Sequence, residues 1–392
     1  MTRQTYIVDG VRTPIGNFGG SLSSIRADDL AAIAIKNLMD RNPKLDFDRI
    51  EDVILGCANQ AGEDNRNIAR MSGLLAGLPV NLGGETVNRL CASGMAAVVN
   101  ASRAIKDGAG SLYIAGGVEH MTRGPWVISK VSAPYGRDAK MHDSSFGWRF
   151  VNKKMEEMYG VEGMGVTAEN LVEKFDIDRA SQDRFAFSSQ QKVQQAIQDG
   201  FFNDELCVVS IPQRKKDPML FSRDEFPRAG TSIESLGGLR AVFKKDGSVT
   251  AGNSSGLNDG AAALLVASEE ALKHQSLQPM ARIVSAAVAG VEPRIMGIGP
   301  VYASQKALKR AGLSLADMDV IEMNEAFSAQ VLACSRSLGL DDRDPRINPN
   351  GGAIALGHPL GMSGSRILLT AARQLKRIGG RYALVTMCIG VG

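Results

Sequence analysis

The chain has 392 residues, 44% of them hydrophobic, and carries 45 Lys+Arg against 42 Asp+Glu for a net charge of +3 at pH 7. That length is enough for two or three packed units, and the balanced charge, without a basic run, gives no footprint for nucleic acid or a membrane surface. No apolar run approaches the roughly 18 residues of a membrane helix, and five scattered cysteines without a CxxC pair support neither a zinc site nor a disulfide framework, which points to a reducing, cytoplasmic setting and no metal.

Tyr6–Val8 reads as a first strand, not a targeting peptide, because no apolar h-region precedes it. A glycine-rich loop leads to a helix over Ala27–Arg41, with Leu30, Ile33, Ile35 and Leu38 on its apolar side. Val53–Cys57 is a short buried strand, Asn67–Leu75 a helix and Gly84–Val87 another strand. That strand runs into Asn88-Arg89-Leu90-Cys91-Ala92-Ser93-Gly94, a tight turn opening a helix that Asp107-Gly108 closes. Cys91 at a helix N-terminus is favoured as thiolate, although a lone cysteine is also an ordinary small core residue. With a strand at Ser111–Gly117, the alternation predicts a largely parallel, buried sheet.

Between about Met121 and Ser255 the rhythm breaks into Gly, Pro and charge, with one strong helix at Arg179–Asp199. This reads as an inserted, loop-rich lobe that shapes a substrate site or serves oligomerisation. From Gly256 regularity returns and a repeat emerges. Val320–Asn324 matches Val53–Cys57, and the spacing from Cys57 to Cys91 equals that from Asn324 to His358, 34 positions each. Each second position opens a small-residue turn and a helix, followed by a strand (Tyr382–Thr386 in the second half). Matched order and spacing imply a duplicated α/β unit, whose equivalent turns can face one pocket at the strands' carboxyl ends.

His358 lies in Gly351–Gly364, which holds neither GxxxxGK[ST] nor GxGxxG. An imidazole there suits a base beside a thiol, or it is structural. Asn324 follows a buried strand and either orients a water or carbonyl or caps a helix. Cys388-Ile389-Gly390 ends the last strand with a second thiol and a glycine N–H, or with a buried cysteine. Thr250–Gly256 is a small polar loop.

Together Asn88–Gly94, Gly116–Glu119, Thr250–Gly260, Asn324–Phe327, Gly351–Gly364 and Met387–Gly390 resemble, in order and over nearly the whole chain, the motifs of the thiolases, acyl-CoA C-acyltransferases. The resemblance implies an α/β thiolase-like fold: a duplicated core of two similar halves, helices and mixed sheets in layers, with an inserted loop lobe. The expected division is residues 1–121 as the N-terminal half, completed by 257–277, the lobe over 122–256, and 278–392 as the C-terminal half. It implies Cys91 as the acyl-carrying nucleophile, His358 as its base and Cys388 as the acid/base at the substrate α-carbon. Asn324 would hold the water of one oxyanion site, and the N–H groups of Cys91 and Gly390 would form the other. Ser255, Arg228 and Met164 match positions lining coenzyme A, a co-substrate rather than a resident cofactor. Acyl-CoA, CoA and a homodimer or homotetramer are the implied partners. Family members usually continue one short segment past the position of Gly392.

Gly56–Asn67 and Ser145–Asn152 resemble the thiolases of aromatic-compound degradation that cleave 3-oxoadipyl-CoA with CoA to succinyl-CoA and acetyl-CoA. Arg149, between bulky apolar residues, is the expected partner of a distal carboxylate, ahead of Arg66 and Lys153. The alternatives are a broad-range 3-ketoacyl-CoA thiolase or an acetyl-CoA C-acetyltransferase, the latter disfavoured because Gly163 stands where short-chain biosynthetic members have histidine. A non-catalytic thiolase-like lipid carrier would not need Cys91, His358, Asn324 and Cys388, and a decarboxylating ketosynthase would want histidine where Asn324-Glu325 stands.

Overall fold

The computed structural model describes residues 3–392. In chain order its main elements are β1 (Thr5–Arg12), α1 (Ala27–Arg41), β2 (Asp52–Gly56), α2 (Ile68–Leu75), β3 (Glu85–Val87), α3 (Ser93–Asp107) and β4 (Leu112–His120). There follow α4 (Met164–Phe175), α5 (Arg179–Gln198), β5 (Asn258–Ser268), α6 (Gly299–Ala311), β6 (Val320–Met323), α7 (Ser328–Ser337), α8 (Leu360–Ile378) and β7 (Ala383–Thr386).

The main sheet runs Ala281–Arg282, β1, β5, β4, β2, β3, with Gly16–Asn17 added beside β5. It is mixed, which corrects the expectation of a largely parallel sheet. β2 pairs parallel with β3 and β4, whereas β5 pairs antiparallel with both β4 and β1. The alternation of strands and helices holds only up to β4. β5 is reached after the long excursion over 121–257, so no crossover helix dictates its direction. Its eleven residues are all buried, and alternate side chains serve opposite faces. Ala261, Ala263 and Leu265 pack with Val53, Leu55, Leu30 and Ile35 toward α1 and α2. Ala262, Leu264 and Val266 pack with Ala97, Val98, Met362 and Leu369 toward α3 and α8. Beyond α8 lies the second, parallel pair β6–β7, in register from Val320 opposite Ala383 to Met323 opposite Thr386.

The excursion is more ordered than its composition suggests. Besides α4 and α5 it holds the hairpins Trp126–Ile128 with Met141–Asp143 and Val209–Gln213 with Lys216–Phe221, and short helices at Lys153–Tyr159 and Ile233–Gly237. It is tied to β1 by Arg12, whose guanidinium is wholly buried and pairs with Glu205 at 2.6 Å and Asp224 at 2.6 and 2.9 Å. Among the described residues no helix is long and apolar enough to cross a membrane.

Helices α3 and α8 touch backbone to backbone. A β-carbon on Gly94 would lie 2.5 Å from the Gly361 carbonyl oxygen, and one on Gly364 would lie 2.3 Å from the Met95 nitrogen. Only glycine fits these positions, and the N-termini of both helices, which carry Cys91 and follow His358, are thereby brought together.

Candidate active site

Cys91 stands on a built turn. Leu90 adopts a left-handed backbone, φ +46°, a conformation that persists only where neighbours hold it. Its N–H donates to Asn88 Oδ1 at 2.9 Å, Arg89 N–H donates to Ser93 Oγ at 2.8 Å, and Ser93 Oγ donates to the Leu90 carbonyl at 2.6 Å. The Gly390 N–H reaches the Cys91 sulfur, so the two chain segments meet at that atom. The expectation that the helix end favours thiolate is corrected by the environment. Although the residue as a whole is only partly buried, desolvation pushes its thiol up to about 11, outweighing the Gly390 N–H, and the negative charge of Glu119 adds to the rise. Cys388 is buried in an apolar cluster with Ala168, Met296, Ala326 and Phe327. Burial raises its thiol well above the ordinary range, and the nearby sulfurs of Cys91 and Cys334 push the same way.

Asn324 extends β6 by donating its N–H to the Thr386 carbonyl at 3.0 Å. Its Nδ2 lies 3.4 Å from His358 Nε2, while its buried Oδ1 meets no protein partner. It is not a helix cap, since α7 begins at Ser328 behind Phe327 without a side-chain cap. His358 is held on three sides: its N–H donates to Asn258 Oδ1 at 3.0 Å, Nδ1 lies 2.6 Å from Ser363 Oγ, and Nε2 faces Asn324. Gly357 before it has φ +101°, and a β-carbon there would meet the Asn258 amide at 2.5 Å. Burial, helped by the positive charge of Arg366, pushes the imidazole down to about 3.

The sequence reading assigned no role to several residues that hold this arrangement. Glu119, on β4, accepts the N–H groups of Ala58, Asn59 and Gly361 at 3.0, 3.0 and 2.8 Å, linking the end of β2 to the first turn of α8. Its carboxyl is pushed up to about 7 by burial. Glu325 accepts from Ser189 Oγ, Asn348 Nδ2 and the Ile354 N–H at 2.6, 2.8 and 3.1 Å, tying the Asn324 loop to α5 and to the loop before His358. The available signal was an acid directly after an apolar strand, where a buried charge needs donors. Cys57, Asp64 and Glu119 bring ligand-type atoms within 4.8 Å of one another. Both carboxylates there are engaged by backbone N–H groups, Asp64 by those of Gln60 and Gly62.

Met164 opens α4 with its sulfur 3.5 Å from where a Gly390 β-carbon would sit. Ser255 adjoins the Asn324 loop through its N–H and Oγ, at 3.0 and 3.1 Å from the Ala326 carbonyl. Arg228 is exposed on the excursion, its guanidinium 5.8 Å from the Phe226 ring centroid, and among the described residues no hydrogen bond or ion pair joins it to the Cys91 turn. Arg149 is half-buried, donating to Asn59 Oδ1 at 2.8 Å and the Ser144 carbonyl at 3.3 Å. Asp143 is occupied by the Ser145 N–H instead. A cavity of about 540 Å³ opens beside the Cys91 turn, lined by Arg89, Ala92, Met95, Met387 and Ile389 but not by His358, Asn324 or Cys388.

Two turns at facing helix N-termini, two thiols, an imidazole and an amide define an acyl-transfer class of site. The family model described as "Thiolase, N-terminal domain" matches residues 5–270, and "Thiolase, C-terminal domain" matches residues 277–392. The chain belongs to the thiolase family and is an acyltransferase of that class. It is 55% identical over 390 residues to the beta-ketoadipyl-CoA thiolase of Acinetobacter baylyi, covering 100% of this chain and 97% of that protein. Identity is 56% over 390 residues to the 3-oxoadipyl-CoA/3-oxo-5,6-dehydrosuberyl-CoA thiolase of Escherichia coli, with the same coverage. Among solved structures, human mitochondrial 3-ketoacyl-CoA thiolase in complex with CoA superposes with a TM-score of 0.91 at 42% identity, covering 100% of this chain and 96% of that one.

Proposed function

We propose that this thiolase cleaves 3-oxoadipyl-CoA with CoA to succinyl-CoA and acetyl-CoA through a thioester on Cys91. The observation that carries the reading is the approach of the Gly390 N–H to the Cys91 sulfur, at a helix end packed backbone to backbone against the helix that follows His358. His358 Nε2 takes the Cys91 proton, and the sulfur attacks the 3-keto carbon. The C2–C3 bond then breaks, leaving the succinyl group on sulfur, and the departing carbanion takes a proton from Cys388 to become acetyl-CoA. CoA then gives its thiol proton to the Cys388 thiolate while its sulfur attacks the thioester, succinyl-CoA leaves, and the His358 imidazolium returns its proton to the Cys91 sulfur. Asn324, through a water on its unpartnered Oδ1, and His358 serve one oxyanion; the N–H groups of Cys91 and Gly390 serve the other. Met164, Ser255 and Arg228 line the CoA path, and Arg149 receives the distal carboxylate.

In the same reading residues 1–121 with 257–277 form one half, 122–256 the lobe and 278–392 the other half; the insertion of β5 between β1 and β4 supports the first grouping. The enzyme works in the cytoplasm, consistent with five unpaired cysteines, as a homodimer or homotetramer, for which the exposed Trp126, Ile128 and Met141 offer an apolar surface.

Mass spectrometry after mixing with 3-oxoadipyl-CoA in the absence of CoA is the direct test. A succinyl adduct on Cys91, lost in Cys91→Ala, is expected; an adduct on Cys57, Cys207 or Cys334 would overturn the assignment. Comparable turnover across uncharged 3-oxoacyl-CoA chains would favour a broad-range thiolase instead.

A further inference from the structure

His358 and Ser363 share a hydrogen-bond chain in which the number of protons decides the chemistry. Ser363 Oγ is wholly buried, and its two close partners are His358 Nδ1 at 2.6 Å and the Pro359 carbonyl at 2.8 Å. A hydroxyl has one proton to give. If it goes to the Pro359 carbonyl, four residues back along α8 as helical serines commonly do, then Ser363 Oγ must accept from Nδ1–H. Nε2 is then a bare lone pair, facing the Asn324 Nδ2 donor at 3.4 Å. Each hydrogen bond in the chain Asn324, His358, Ser363, Pro359 then pairs a donor with an acceptor. If instead the hydroxyl goes to Nδ1, Nε2 carries the proton and confronts another donor across 3.4 Å in a buried place.

We infer that Ser363 is the positioning residue that selects the Nδ1–H tautomer of His358 and so leaves Nε2 free to act as base. The inference rests on the reading of His358 as the base for Cys91. Acylation then proceeds by transfer of the Cys91 S–H proton to Nε2, the sulfur keeping the bonding pair for attack on the carbonyl carbon. The imidazolium so formed still has both N–H groups partnered, Nδ1–H by Ser363 Oγ and Nε2–H by the developing oxyanion. No other side chain contacts Nδ1 among the described residues, so the selection has no visible backup.

The test is nitrogen NMR of the full-length protein with labelled histidine, where four histidines and His358→Gln identify the signal. The wild type should show a protonated Nδ1 and a bare Nε2 at neutral pH. In Ser363→Ala the proton should move to Nε2, and kcat should fall about 10²-fold, as for loss of a correctly poised base, with KM little changed. Ser363→Thr, which keeps the hydroxyl, should recover both the spectrum and kcat. A wild-type spectrum with Nε2–H overturns the inference without any variant having to fold, as does Ser363→Ala with tautomer and kcat unaltered. Acylation of Cys91 persisting in His358→Gln would refute the base reading itself, whereas the wild-type spectrum judges the tautomer separately.

Discussion

At Cys91 two opposed effects can be ranked. A helix N-terminus favours an anion by roughly 0.3–1 kcal/mol, less than one pKa unit at about 1.4 kcal/mol per unit. Burial wins, and the thiol rises from 9.0 to about 11. In the proposed mechanism the thiolate is therefore made only during the reaction, by His358, whose imidazole burial keeps uncharged beforehand. Its displacement has a stability signature. The imidazole titrates near 6.5 unfolded and near 3 folded, so between those values the unfolded state binds the extra proton. The contribution is fully present above pH 6.5 and is lost as pH falls toward 3, at up to about 1.4 kcal/mol per unit. From pH 7 to 5 the wild type should therefore lose about 2 kcal/mol more stability than His358→Gln, measured by urea unfolding. Glu119 and Glu322, whose carboxyls are raised by burial to about 7 and about 8, act in the opposite sense but in both proteins, and so cancel. Equal losses would mean that His358 is not displaced.

The elements transmit that chemistry through one close crossing. A β-carbon on Gly94 would sit 2.5 Å from the Gly361 carbonyl and 3.0 Å from the Ser365 nitrogen, both backbone atoms that can retreat only if α3 and α8 separate. Overpacking of this kind costs about 1–3 kcal/mol, more than the roughly 1 kcal/mol of helix propensity that alanine gains over glycine. Gly94→Ala should thus lower the urea midpoint and turnover together, since the helices carry opposite halves of the site. Gly237→Ala, where nothing lies within 4 Å, should be neutral or slightly stabilising. Identical behaviour of the two variants would show that the crossing does not set the geometry. The parts of this arrangement legible in sequence were those with local signatures. The expected helix at Ala27–Arg41 is observed with those bounds, the helix after Cys91 ends at Gly108 in a left-handed cap, and Asn324 and His358, set side by side by the resemblance of their motifs, lie 3.4 Å apart. Strand direction, the linkage by Glu119 and the hold of Asn258 and Ser363 on His358 were not legible. Glu119 meets the Gly361 N–H across 242 positions, and no periodicity or turn signal encodes such a partner.

At the scale of the molecule, the proposed function divides the labour: the core supplies general acyl-transfer chemistry, and the excursion between β4 and β5 supplies discrimination among acyl chains. It is positioned for this by the buried pairing of Arg12 with Glu205 and Asp224, and by Arg149, which reaches back to Asn59, the residue after Ala58, whose carbonyl accepts from Asn88 Nδ2. Arg149 therefore stands two hydrogen-bonded steps from the Cys91 turn. Among the described residues its guanidinium has only neutral oxygen acceptors, Asn59 and the Ser144 carbonyl. A half-buried cation held by neutral groups is suited to a substrate carboxylate, which a guanidinium can grip with two parallel bonds. An unpaired carboxylate would otherwise carry a desolvation cost of several kcal/mol. Arg149→Met should raise KM for 3-oxoadipyl-CoA and spare uncharged 3-oxohexanoyl-CoA. Losing one charged hydrogen-bonded contact is worth roughly 1.5–3 kcal/mol, or about 10- to 150-fold in selectivity. Arg149→Lys should fall between, because an ammonium keeps the charge but not the paired geometry. Asn59→Ala would separate support from contact: if Asn59 only aims the guanidinium, its loss should weaken the dicarboxylate preference less than Arg149→Met does. Equal loss on both substrates in Arg149→Met would make Arg149 a brace between the Ser144 loop and the end of β2, and the carboxylate would have to be met elsewhere in the excursion.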